Sequence, residues 1–149
     1  MTVIAYRAGI IAGDGRETMQ NTPDESWFKI RDNCVKVFRL KDGSLFGAAH
    51  GSEDIEILFR HLRENPDRED MPPGLEDIIA MRVMPDGRVL SSEGGIWVPT
   101  HLEYWAIGSG GLAALCAMDA GASAERAVQI ACERDLWCGG KITTLKLKR

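Results

Sequence analysis

Apolar and polar residues alternate with period two along short runs at both ends of this chain and follow a helical period in three places. The runs 2–7 (TVIAYR) and 9–15 (GIIAGDG), split by Ala8-Gly9, predict a tight hairpin. Residues 16–26 are polar and hold Pro23, which predicts a loop. The runs 34–40 (CVKVFRL) and 44–50 (SLFGAAH) flank Lys41-Asp42-Gly43, and Asp-Gly between apolar runs predicts a second hairpin. In 52–65, Ile55, Leu58, Phe59 and Leu62 recur at helical spacing behind Ser52, Glu53 and Asp54, a favourable helix start. Residues 66–74 are rich in breakers and read as loop. The runs 75–84 and 88–92 flank Pro85-Asp86-Gly87 as a third hairpin. GIWVPT and EYWAIG are further strands.

Behind Ser109, GGLAALCAMDAG predicts a helix stopped at Gly121, and Ser123 caps a second helix over 124–135 with Ala127, Val128, Ile130 and Ala131 on one face. Residues 139–147 alternate as a closing strand. Strands come in hairpins and helices in groups. That order predicts an α+β sandwich of antiparallel sheets flanked by helices rather than a doubly wound sheet.

A chain of 149 residues is enough for one domain with a real core. Its composition, 44% hydrophobic and 27% charged, is that of an ordinary globular protein. A net charge of -4 with scattered basic residues argues against nucleic acid. No apolar run approaches the roughly 20 residues of a membrane span, and MTVIAYR lacks the pattern of a signal peptide. The expectation is a cytoplasmic protein without a membrane partner. Cys34, Cys116, Cys132 and Cys138 form no C-x-x-C pair, and no histidine completes a zinc pattern, so no metal is expected. Cys116 and Cys132 read as reduced core residues inside helices, and Trp97, Trp105 and Trp137 as core or interface packing.

The Gly108-Ser109-Gly110-Gly111 turn ends an apolar run and opens a helix. It lacks the lysine of a Walker loop, the third glycine of a dinucleotide fingerprint, and the spacing of a nucleophile elbow. It reads instead as a turn whose serine serves chemistry located elsewhere. Thr2, directly behind Met1, supplies a candidate. With Met1 removed it carries a hydroxyl and an α-amine whose reference pKa of about 7.7–8.0 suits a base near neutrality.

Four segments carry a resemblance: IIAGDG, then VKVFRL with LFGAAHGSEDIEILF, then AIGSGG, and AGASAERAVQIACERDLWCGGKITTLKL. Together, in this order, they resemble the proteasome β-type, HslV-like family of N-terminal nucleophile hydrolases. The resemblance implies a four-layer αββα sandwich over one domain, residues 1–149. It implies a threonine-type peptidase with Thr2 as nucleophile, Asp14 as the buried acid beside it and Lys36 as the catalytic lysine. Ser109, with Gly108, is the supporting serine turn, and Asp135 is the second acid. The backbone of the His50-Gly51 turn corresponds to the oxyanion donor, with His50 in place of a glycine. Cys138 stands where the family has serine. No metal or organic cofactor is implied. A homo-oligomeric ring, peptide or unfolded-protein substrates and an unfolding ATPase partner are.

The first hairpin is about four residues shorter than in HslV-like chains. Trimming each strand by two keeps the face of Thr2, whereas an odd change flips it and places Met1 at the nucleophile position. Read alone, the same residues have plainer roles. Ser109 is then a helix N-cap, Asp14 a turn residue and Lys36 a solvent-facing strand residue, with Lys29 the other lysine candidate. Asp135 is then a helix-end acid. A catalytically inactive assembly or binding module and a small-molecule amidohydrolase are the competing functions on the same fold.

Overall fold

The computed structural model describes residues 1–68 and 70–148, without the Glu93 side chain; Glu69, in the expected 66–74 loop, and Arg149 lie outside the described residues. Strands β1 (Ile4–Arg7) and β2 (Ile10–Gly13) form the first hairpin. Ala8 and Gly9 join them with φ of 50° and 83°, the doubly left-handed geometry of a two-residue turn that follows strand twist. β1 pairs on its other side with β10 (Tyr104–Ile107), and β2 with β11 (Thr143–Lys146), giving a four-stranded antiparallel sheet.

A second antiparallel sheet runs in the order β5 (Val37–Arg39), β6 (Leu45–Ala49), β7 (Ile79–Val83), β8 (Val89–Glu93), β9 (Ile96–Pro99). Among the described residues the helices are α1 (Ser52–Glu64), α2 (Gly111–Asp119) and α3 (Ala124–Arg134).

Alternation in β1 directs the packing. Val3 and Ala5 face α2 and α3, where Ala114, Ala117, Ala127, Val128 and Ala131 let the helices approach closely. Ile4 and Tyr6 face the other way, onto Leu45, Met81 and Val83 of the second sheet. Gly47 on β6 permits that contact, because a Cβ there would stand 2.9 Å from Ile4 Cδ1. The far face of the second sheet, with Phe46, Ala48 and Ala80, takes Ile55, Leu58 and Leu62 of α1. β1 is therefore buried on both faces, which is why TVIAYR is almost continuously apolar.

Residues 16–26, expected as loop, instead begin a hairpin of β3 (Glu17–Gln20) and β4 (Trp27–Arg31), with Pro23 in its connecting turn. β4 is exposed at every position, so no buried face imposed the alternation that marks a strand in sequence. Three smaller expectations also fail. Gly51, not Ser52, caps α1, and the Ser52 hydroxyl donates to Glu17 instead. Gly110, not Ser109, is the N-cap of α2. Cys116 is exposed rather than in the core, and Cys132 is only half-buried. Among the described residues, no helix is long and apolar enough to cross a membrane.

Candidate active site

The centre of the site is a buried ion pair. Asp14 follows β2 and is 1% exposed; Lys36 precedes β5 and is 5% exposed. Each is pinned by the ends of the strands beside it. The Lys36 ammonium donates to Asp14 Oδ1 (2.9 Å), to the Arg16 carbonyl (2.6 Å) and to the Met1 carbonyl (3.1 Å). All three of its N–H bonds are thereby used. Asp14 also accepts from the backbone N–H groups of Val3 (3.0 Å), Arg16 (3.3 Å) and Gly139 (3.0 Å). A charge pair this deep persists because each lone pair and proton has a partner.

Thr2 lies across this pair. The carbonyl before it accepts from the Lys36 ammonium, and the amide after it donates to Asp14. Its own carbonyl accepts from Gly110 N–H (3.3 Å) and from the Ser109 hydroxyl (3.4 Å). The turn must come very close to do this. Gly108 has φ of 91°, and a Cβ on it would stand 2.1 Å from the Thr2 oxygen, so only glycine fits. The hairpin register sets Val3 opposite Asp14, whose amide donates to the Val3 carbonyl at 3.1 Å.

On the other side of Thr2 the loop after α3 brings a carboxylate and a thiol. The Cys138 thiol donates to Asp135 Oδ2 (3.1 Å) and lies 3.5 Å from the Ser109 hydroxyl. The Trp137 amide donates to Asp135 Oδ1 (2.9 Å). Burial pushes the Asp135 carboxyl up, but donors from Ser109, the Trp137 amide and Cys138 outweigh it and hold its pKa below the ordinary value. Burial, with Asp135 alongside, pushes the Cys138 thiol up to about 12, so it stays neutral and is the donor in that bond. Burial first, and then Lys36, lowers the pKa of the Met1 α-amine. Cys138, Asp14 and Asp135 oppose the shift.

Met1, Thr2, Lys36, His50 and Gly51 share the wall of a cavity of about 300 Å³. Gly51 opens α1 without a side-chain cap, leaving the first amides of the helix as donors at the cavity edge. His50 is half-exposed and its Nδ1 lies 2.6 Å from Asp54 Oδ2.

The structure thus brings Asp14, Lys36, Ser109, Asp135 and Cys138 around the Met1–Thr2–Val3 backbone, with the His50-Gly51 turn across the cavity. Lys29 is excluded, because it is exposed and pairs with Asp32 (2.8 Å). The sequence reading missed Arg16, whose carbonyl holds Lys36, and the β3–β4 residues Met19 and Ile30 that line the cavity. No motif marked them. Proximity to Asp14 was the only clue to Arg16.

No protein-family model matches the chain, and no curated protein matches it in sequence. Solved structures do match it in shape. Eukaryotic HslV from Trypanosoma brucei superposes with a TM-score of 0.64 at 19% identity, over 97% of this chain and 98% of that one. The fold is that of HslV. BPH from Thiobacillus denitrificans matches this HslV fold with a TM-score of 0.63 at 17% identity, over 99% and 98% of the two chains. Its complex with epoxomicin gives 0.63 at 16%, over 99% of each chain. At these identities the likeness carries the HslV fold alone.

Proposed function

We propose that this chain is a threonine-type peptidase, one proteasome β-subunit-like domain over residues 1–149 in a four-layer αββα sandwich. The observation that carries the reading is the buried Lys36–Asp14 pair on the Val3 amide beside Thr2, with the Ser109 hydroxyl on the Thr2 carbonyl. Once Met1 is gone, the Thr2 hydroxyl attacks a peptide carbonyl and its proton passes to the free Thr2 amine. The charge of Lys36 favours the developing alkoxide, and the His50-Gly51 backbone meets the oxyanion. The amine returns the proton to the leaving amine, giving an ester on Thr2 that water then cleaves. Ser109, Asp135 and Cys138 orient the Thr2 amine. Peptides or unfolded proteins are the substrates. The chain works in the cytoplasm as a homo-oligomeric ring, supplied by an unfolding ATPase. The HslV fold and the epoxomicin-bound Thiobacillus neighbour support this reading.

One observation favours a second reading, an inactive assembly module: a neutral Cys138 thiol, bonded to Asp135, stands where the family has serine, and a thiol is the weaker donor toward the amine. Intact mass before and after incubation with epoxomicin separates the two. Loss of one methionine and a covalent adduct that Thr2→Ala abolishes support the peptidase. Retained methionine, no adduct and no peptide turnover support the inactive module.

A further inference from the structure

Arg16 sits where three segments of the site cross. Its Nε pairs with Asp32 Oδ1 (2.9 Å), and its Nη1 donates to the carbonyls of Leu136 (3.1 Å) and Cys138 (3.4 Å). Its backbone N–H donates to Asp14, and its carbonyl accepts from Lys36. Backbone bonds close the same frame: Gly15 N–H to the Gly139 carbonyl (2.9 Å), Cys34 N–H to the Gly15 carbonyl (2.9 Å), and Lys141 N–H to the Asp32 carbonyl (2.7 Å). Gly139 leaves the room required, since a Cβ there would stand 2.7 Å from Arg16 Cζ.

We propose that Arg16 is the positioning residue that joins the two arms of the site. Its main chain orients Lys36, and its guanidinium fork holds the 135–139 turn so that Asp135 and Cys138 face the N-terminal amine. The proposal rests on the peptidase reading for its catalytic consequence but not for its geometry. Two carbonyls and a carboxylate accept from one planar cation, a task that an ammonium on a flexible stem does not reproduce. The groups that face the amine are Lys36, Asp14, Asp135 and Cys138. Of these, Asp135 and Cys138 lie on the turn that the guanidinium holds. With that turn released, the amine loses one of the two carboxylates that favour its charged form, while Asp14 and Lys36 remain in place.

The test is Arg16→Lys, which keeps the charge, with Asp32→Asn as a second variant that loosens the aim of the fork. The N-terminal amine is titrated by NMR in each folded protein, and formation of the covalent Thr2–epoxomicin adduct is timed. The expected result is an amine that titrates at lower pH in both variants, further in Arg16→Lys. Adduct formation slows on the order of tenfold or more. Folded variants with the wild-type amine titration overturn the proposal whether or not the protein reacts with epoxomicin. A shifted titration with no epoxomicin adduct on the wild type supports the positioning role and refutes the peptidase reading instead.

Discussion

Lys36→Met removes the ammonium from the centre of the site while keeping an unbranched stem of similar length. The Asp14 carboxylate is then left buried, its side chain fully covered, with three backbone N–H donors and no counter-charge. Breaking one partner of a buried pair costs about 3–5 kcal/mol. The three remaining donors place this case at the low end, about 3 kcal/mol. For a chain of this size each kcal/mol moves the midpoint by about 2–4 °C, so Tm should fall by about 6–12 °C. Scanning calorimetry measures it, and peptide turnover in the folded fraction is measured beside it. Asp14→Leu combined with Lys36→Met should cost less than the two single losses added together, because neither charge is then left alone. A Tm within about 2 °C of wild type would refute the energetic argument. Unchanged peptide turnover in the single variant would remove Lys36 from the mechanism.

Three further outcomes follow from the same geometry. Maleimide near neutral pH should modify exposed Cys116 and leave Cys138 unlabelled, because burial holds that thiol at about 12; Cys138→Ser should keep the bond to Asp135 and retain activity, read by peptide mapping and turnover. Asp32 is held down to about 2 by Arg16 and then Lys29, against 3.8 ordinarily. A depressed carboxylate contributes stability above its unfolded pKa and loses it as pH falls through its folded one. Acid titration should therefore show destabilisation between about pH 4 and 2 that is smaller in Asp32→Asn. Gly108→Ala forces a left-handed alanine against the Thr2 carbonyl and should abolish the native contact of the Gly108–Gly110 turn, seen as a large drop in Tm. A neutral substitution there would contradict the described turn.

Element types were mostly legible in the sequence because most strands bury at least one face, and burial imposes a period. The β3–β4 hairpin escaped because β4 buries nothing, so its residues obey no such constraint. The plain cap roles of Ser109 and Ser52 fail for a related reason. Both are good cap types, but their hydroxyls are drawn away by groups distant in sequence, Thr2 and Glu17.

What the chain determines locally is its punctuation: Ala8-Gly9, Asp42-Gly43 and Asp86-Gly87 turn it back, and the Gly108–Gly111 run both permits a close approach and opens a helix. Those outcomes depend on φ and on neighbouring residues alone. Which side chains meet at Thr2 is decided by sheet register and by loops that cross. Lys36 reaches Met1, Arg16 reaches Cys138 and Asp14 reaches Gly139 across separations of 35, 122 and 125 residues. Contacts of that span leave no periodic trace in sequence. They exist only once the sheets and helices have packed and removed the water that would otherwise solvate each charge.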